Sequence, residues 1–238
     1  MKIEILYSEV GNLFGDSQNV RYLQLCLPQA EFIFTDLTAR PAFADQDIDM
    51  LYMGPMTEKS QIKVIDRLMP YKNRLEEMIQ AGVTFLLTGN AWEVLLKQIH
   101  NCTYETVTDG LGLFDFTVET DMFNRYNGKV LGTFEDIEIV GFHSQFSMVY
   151  GDNSENYFIR CERGIGLNRE SQLEGLHVNN FYATSLIGPL LPLNPLFTRR
   201  LLCGLGAENP EPAFEKEAMQ AYRVRLEEFR DKSINFND

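Results

Sequence analysis

Apolar and polar residues alternate in blocks along the first hundred positions, and each block has the period of either a strand or a helix. Strand-like runs cover residues 2–7, 30–37, 49–55 and 83–88. Helical spacing of apolar residues covers residues 58–80, where Pro70 is expected to kink or divide the helix. This order predicts an α/β fold with a mostly parallel central sheet flanked by helices.

The pattern changes from Gly110 onward, where short strand-like runs predominate and predict an antiparallel extension. These runs cover residues 113–118, 130–133, 137–142, 157–161 and 181–186. Because no linker separates the two halves, residues 1–205 are predicted to form one domain. The tail, residues 206–238, is predicted to contain a helix that packs on that domain through Phe214, Ala218, Tyr222, Leu226 and Phe229.

Residues 83–97 carry a short apolar strand that is predicted to pass through a tight turn directly into a helix. Enzymes of the α/β class often place a nucleophile at such a corner, because the positive end of the following helix lowers the pKa of a thiol there. The corner residue is Gly89, which has no side chain. The stretch therefore raises the question whether the chain keeps the form of a nucleophile elbow and has lost the nucleophile.

Composition and charge indicate which classes of binding partner the protein is not expected to have. The chain has 238 residues, of which 45% are hydrophobic and 23% charged, as in ordinary globular proteins. A formal net charge of -13 disfavours binding to nucleic acid or to anionic membranes. No apolar run approaches the length of a membrane span and no signal segment precedes the first strand, so a cytoplasmic protein is expected. The four cysteines are widely spaced, which predicts reduced thiols and neither a metal site nor a cofactor.

Several motifs, taken in their order along the chain, resemble those of the class I glutamine amidotransferases. The similarity is to the cobyric-acid-synthase-like branch, which includes the glutaminase subunit of lipid II isoglutaminyl synthase, and it covers most of residues 1–203. The motifs are Gly11-Asn12-Leu13-Phe14-Gly15-Asp16 with Asn19, Gly54, the elbow at Gly89, Gly110-Leu111-Gly112-Leu113-Phe114-Asp115-Phe116, Asn124-Arg125, Val140-Gly141-Phe142, Glu174-Gly175-Leu176-His177, and Gly188-Pro189-Leu190-Leu191-Pro192-Leu193-Asn194-Pro195.

The resemblance implies that a cysteine at the elbow attacks the amide of glutamine and that a later histidine moves the proton. Carried onto this sequence, the nucleophile position falls on Gly89 and the histidine position on Ile187, so that neither catalytic side chain is present. The resemblance also makes Arg125, Gly54 and Asn90 candidate ligand-binding residues. Arg125 can equally be a solvated loop arginine.

Three hypotheses about function follow. The first is a catalytically silent amidotransferase-like protein that acts as a binding or scaffold subunit, for example of a Mur-ligase-like or other synthetase in peptidoglycan amidation. The second is an active glutaminase that uses relocated residues, with His143 as the base or Thr88 as the nucleophile. The third is a sensor that keeps a pocket for an amino-acid ligand through Arg125 but performs no turnover.

Overall fold

The structure, a computed structural model, describes residues 1–235 of the chain. Its strands are β1 (Lys2–Leu6), β2 (Glu31–Thr35), β3 (Met50–Met53), β4 (Thr84–Thr88), β5 (Leu96–Asn101), β6 (Thr106–Asp109), β7 (Phe114–Thr120), β8 (Tyr126–Phe134), β9 (Ile137–Gln145), β10 (Ser147–Tyr150), β11 (Ile159–Arg163), β12 (Leu173–Glu174), β13 (Leu176–Val178) and β14 (Phe181–Thr184). Its α-helices are α1 (Ser17–Cys26), α2 (Glu58–Leu68), α3 (Lys72–Gln80), α4 (Leu190–Leu193), α5 (Pro195–Gly204) and α6 (Glu215–Arg230).

The central sheet has six strands in the order β13-β14-β4-β3-β1-β2. Every neighbouring pair is parallel except β13 and β14, which are antiparallel. Successive residues of β4 point to opposite faces, so Phe85 and Leu87 enter one apolar cluster with α2 and α3, whereas Leu86 enters another with α1 and α5. The predicted fold class, a mostly parallel sheet with helices on both faces, is therefore confirmed.

The predicted antiparallel extension forms two further four-stranded sheets, in the orders β10-β7-β5-β6 and β12-β11-β8-β9. Every neighbouring pair in them is antiparallel except β5 and β7, which are parallel. The longest pairing joins β8 to β9, from Tyr126 opposite Gln145 to Phe134 opposite Ile137. The strands that were predicted within residues 113–186 are present, with bounds that differ by a few residues. Because β9 and β10 lie beside the segment that follows β4, the extension supplies a wall for whatever binds there.

The long predicted helix is divided at its proline. Helix α2 ends at Leu68, a 3₁₀ turn covers Met69–Tyr71, and α3 begins at Lys72. Pro70 has no N–H for the i to i−4 ladder, which explains the interruption. The start of α2 is capped by Thr57, whose hydroxyl accepts a hydrogen bond of 3.2 Å from the N–H of Ser60.

The prediction of a helix after the elbow is wrong. Gly89–Leu95 forms a 3₁₀ segment, and the chain then enters β5. The reason is burial: all side chains of residues 91–96 are buried, so the segment has no polar face for a surface helix. A short 3₁₀ segment also gives a weaker helix dipole at Gly89 than the sequence pattern predicted.

The tail helix α6 packs against β8, β9, α4 and α5, with Tyr222, Leu226 and Phe229 buried. Phe214 was predicted on the same stripe, but it precedes the helix in a left-handed conformation and is 68% exposed. A division of the chain at residue 205 stays a prediction, and residues 236–238 of the predicted tail lie outside the described residues. No helix within residues 1–235 is long and apolar enough to cross a membrane.

Candidate functional site

The elbow places Gly89 in a backbone conformation that favours glycine. Its φ is +56°, in the left-handed region, and its N–H donates a hydrogen bond of 3.1 Å to the carbonyl of Leu186. A Cβ atom at this position would lie 2.4 Å from Cβ of Pro55 and 3.3 Å from Cγ2 of Ile187. The volume that a side chain at the elbow would need is therefore filled by a proline ring and an isoleucine methyl group.

A buried polar network lies beneath the elbow and joins it to the first loop. The carboxylate of Asp16 accepts hydrogen bonds from the hydroxyls of Tyr52 and Thr88. The N–H of Gly188 also donates to this carboxylate over 3.4 Å. Asp16 is 0% exposed, and burial raises its pKa. Because these residues come from the first loop, β3, β4 and the segment before α4, the network fixes the relative positions of four elements.

Gly54 belongs to this supporting layer. A Cβ atom on Gly54 would lie 2.5 Å from the carbonyl oxygen of Gly11 and 3.1 Å from Oδ2 of Asp16, so only glycine permits the close approach. Gly54 does not line the cavity in front of the elbow. Its contacts place it between the first loop and the end of β3.

A cavity of about 280 Å³ opens in front of the elbow, a volume near the lower end of the range for small-molecule sites. Four of the residues selected from the sequence, Gly89, Asn90, Arg125 and Ile187, line it together. The other lining residues are Leu13, Phe14, Pro55, Met56, Thr57, Glu58, Glu93, Ser144, Gln145, Phe146, Ser147 and Ser185. The loop after β3, the elbow and the antiparallel extension thus converge on one cavity.

Asn90 shapes the wall of the cavity. Its Oδ1 accepts a hydrogen bond of 2.9 Å from the N–H of Met56, and its Nδ2 donates one of 2.8 Å to the carbonyl of the same residue. The two bonds hold the loop after β3 against the elbow. They also keep Pro55, the residue before Met56, in front of Gly89.

Arg125 lies at the open end of the cavity, between β7 and β8. Its side chain is exposed, and its guanidinium group lies 4.4 Å from the ring centroid of Phe146, which also lines the cavity. Stacking on an aromatic face orients a guanidinium group and leaves its edge N–H groups available to an anion. Within the described part of the chain, Arg125 forms no ion pair.

Glu93 is a site residue that the sequence reasoning missed. It is 2% exposed and lines the cavity. Its carboxylate accepts a hydrogen bond of 2.8 Å from Nε2 of Gln61 and one of 2.5 Å from Oγ of Ser147. Burial raises the pKa of Glu93 from 4.5 to about 7, although both hydrogen bonds oppose the shift, and nearby Glu58 adds to it. The sequence held one signal that could have identified Glu93: it is a single carboxylate inside an apolar run, four residues after Gly89.

The raised pKa of Glu93 gives a testable stability effect. In the unfolded chain this carboxyl ionises near pH 4.5 and in the folded protein near pH 7, so its contribution to stability falls as the pH rises between these values. Glu93→Gln removes the titration and keeps the shape. Relative to the native protein, the variant is expected to gain up to about 3 kcal/mol in the free energy of unfolding between pH 4.5 and pH 8.

Urea unfolding of both proteins at several pH values measures this gain. Glu58→Gln is the comparison variant: Glu58 lines the same cavity and only adds to the pKa shift of Glu93, so removing its charge is expected to reduce the pH dependence of stability by much less than Glu93→Gln does. A Glu93→Gln difference that does not change with pH would contradict a buried carboxyl that titrates near neutrality.

The structure does not bring the proposed substitute residues into the cavity. The side chain of His143 is fully buried on β9, with Nε2 3.9 Å from Oε1 of Glu174, and neither ring nitrogen has a hydrogen-bond partner within the described residues. Thr88 is 0% exposed and donates to Asp16. Neither residue lines the cavity. Trp92, three residues after Gly89, also lies outside the lining: it is a core residue, whose Nε1 donates to Oγ of Ser185 over 3.3 Å.

Residues 1–235 contain no group of three or more His, Cys, Asp or Glu side chains that could hold a metal ion. The cysteines are free, and burial raises the pKa of Cys26 and Cys161. The chemistry that the cavity offers therefore comes from Glu58, Glu93, Arg125 and neutral polar groups.

The fold is that of the glutamine amidotransferases. A crystal structure of a glutamine amidotransferase matches with a TM-score of 0.55 and 13% identity over 86% of this chain and 99% of that one. A glutamine amidotransferase from Thermotoga maritima matches with a TM-score of 0.52 and 8% identity over 94% of this chain and 92% of that one. No family model matches the sequence.

In sequence the chain is similar to the lipid II isoglutaminyl synthase (glutamine-hydrolyzing) subunit GatD. The protein from Staphylococcus aureus (strain N315) is 27% identical over 198 residues, which are 83% of this chain and 78% of the relative. The protein from Streptococcus pneumoniae (strain ATCC BAA-255 / R6) is 21% identical over 242 residues, 98% of this chain and 93% of the relative. The resemblance to amidotransferases that the motifs indicated is confirmed at this level.

Proposed function

We propose that this protein is a catalytically silent counterpart of the glutaminase subunit of lipid II isoglutaminyl synthase. The observation that carries the proposal is the filled elbow. Amide hydrolysis by a thiol needs a nucleophile, a proton shuttle and donors aimed at the oxyanion. The motifs assign the nucleophile position to Gly89 and the shuttle position to Ile187, and a Cβ atom at position 89 would lie 2.4 Å from Cβ of Pro55.

Restoring a nucleophile at the elbow would require changes at more than one residue. A cysteine introduced at position 89 alone would overlap the ring of Pro55, so the loop after β3 would also have to change. Pro55 has no N–H and therefore offers no donor to an oxyanion at that point of the loop. His143 and Thr88, which an active enzyme with relocated residues would recruit, lie outside the cavity lining, and this supports the silent alternative.

A silent subunit would act by binding. We infer a role as a binding or scaffold partner of a Mur-ligase-like or other synthetase, because the similar proteins are named as subunits of a synthase. A second candidate is an amino-acid sensor, which the exposed guanidinium of Arg125 at the cavity mouth favours. Stabilisation of the folded protein by an amino acid would distinguish a sensor from a pure scaffold.

The proposal is tested by incubating the purified protein with glutamine and measuring ammonia. No release above the rate in protein-free buffer is expected, and no covalent adduct is expected with a diazoketone analogue of glutamine. Glu93→Gln serves as the matched variant, since it alters a cavity carboxyl that is almost completely buried. Ammonia release by the native protein that Glu93→Gln abolishes would overturn the proposal and favour the active enzyme.

A further inference from the structure

The charged side chains that line the cavity differ in their exposure to solvent. Glu93 is almost inaccessible, Glu58 is partly buried and Arg125 is exposed. The two carboxyl groups of the lining are therefore more buried than its guanidinium group. Such an arrangement complements an elongated ligand that carries a positive group at one end and a negative group at the other.

The carboxylate of Glu93 has unused acceptor positions for a ligand. A carboxylate offers about four acceptor positions, and Gln61 and Ser147 use one each. Both donors are neutral, and within the described residues no cationic side chain lies within ion-pair distance of Glu93. A buried carboxylate is stabilised most by a cation. A ligand ammonium group beside Glu93 would supply that charge and use the remaining acceptor positions.

Other charged groups near the elbow segment do not supply this charge. Helix α2 packs on the segment and contributes Glu58, which is itself acidic. Strand β9 contributes His143, whose Nε2 faces Glu174. Strand β5 contributes Lys97, which is exposed and paired with Asp115 at 2.8 Å. From β10 the contact to Glu93 is the neutral hydroxyl of Ser147.

We propose that the cavity binds a basic amino acid, with its side-chain ammonium group against Glu93 and its carboxylate at Arg125. This inference rests on the proposed function, since it assigns a ligand to a pocket that performs no turnover. L-Ornithine and L-glutamine have side chains of equal length, and they differ in ending in an ammonium group or an amide. Glu93 is then the residue that determines specificity for the ammonium group.

The test is isothermal titration of the full-length protein with L-ornithine, L-glutamine and L-norvaline. At pH 8 ornithine is expected to bind at least about ten-fold more tightly than the other two, because ion pairing in a desolvated site requires the ammonium group. Between pH 6 and pH 8 the association constant of ornithine is expected to rise about ten-fold as Glu93 ionises, with protons released on binding. The affinity of norvaline is expected to stay constant.

Three variants separate the possible causes. Glu93→Gln is expected to lower ornithine affinity at least about ten-fold and to remove its pH dependence. Arg125→Ala is expected to weaken ornithine binding, whereas Arg160→Ala, which removes another exposed arginine stacked on a ring, is expected to leave it unchanged.

Tighter binding of glutamine than of ornithine by the native protein would overturn this inference alone. Ammonia release from glutamine would instead overturn the proposed function. If the native protein bound neither ornithine, glutamine nor norvaline, the basic-amino-acid site would be refuted.

Discussion

Alanine at position 89 is expected to lower the free energy of unfolding by about 3 kcal/mol. One part of this loss, about 1 kcal/mol, comes from placing a side chain in the left-handed region, at a φ of +56°. The larger part is overpacking, because the new Cβ would lie 2.4 Å from Cβ of Pro55 within a buried wall. Urea unfolding of the variant and the native protein measures the difference.

Gly82→Ala is the matched control for Gly89→Ala. Gly82 also has a positive φ, +79°, but a Cβ there would meet nothing within 4 Å, so only the cost of the left-handed conformation is expected. In a Pro55→Gly background the cost of alanine at position 89 should fall towards that of the control. Equal losses for Gly82→Ala and Gly89→Ala would show that Pro55 moves easily and that the elbow is not sterically closed.

Removal of the Asp16 side chain is expected to cost about 4 kcal/mol. Asp16→Ala leaves the buried hydroxyl of Thr88 without this acceptor and leaves Tyr52 with the carbonyl oxygen of residue 16, at 3.1 Å, in place of the carboxylate. An unsatisfied buried hydroxyl costs about 1–3 kcal/mol. The shortened side chain also leaves a cavity at the junction of the first loop with β3 and β4. Thermal or urea unfolding gives the value directly.

Asp16→Asn separates hydrogen bonding from charge. Asparagine keeps the volume and one acceptor oxygen, and burial already disfavours the ionised form of Asp16, so about half the loss of the alanine variant is expected. The order native, Asn, Ala would support a network that positions the elbow. An alanine variant as stable as the asparagine variant would mean that the network contributes little.

The elbow shows which structural features could be predicted from the sequence and which could not. Because β4 has an apolar centre, Phe85-Leu86-Leu87, and is followed by a glycine, the strand and the turn were predictable from local pattern. The following helix was not, since residues 91–96 are all buried in tertiary contacts that a local pattern does not reveal. Similarly, Phe214 fits the apolar stripe of α6 by spacing, but the backbone turns before the helix begins at Glu215.

The sequence by itself determined the strands β1 to β4, the break at Pro70 and the glycine that follows β4, but not the strands β5 and β6 that come after the elbow. These features depend on residue type and on spacing along the chain. Only the tertiary structure decided that Pro55 and Ile187 fill the space at the elbow and that Glu93 faces the cavity between Gln61 and Ser147. Steric exclusion and a raised pKa both arise from side chains distant in sequence, so they exist only once the chain is folded.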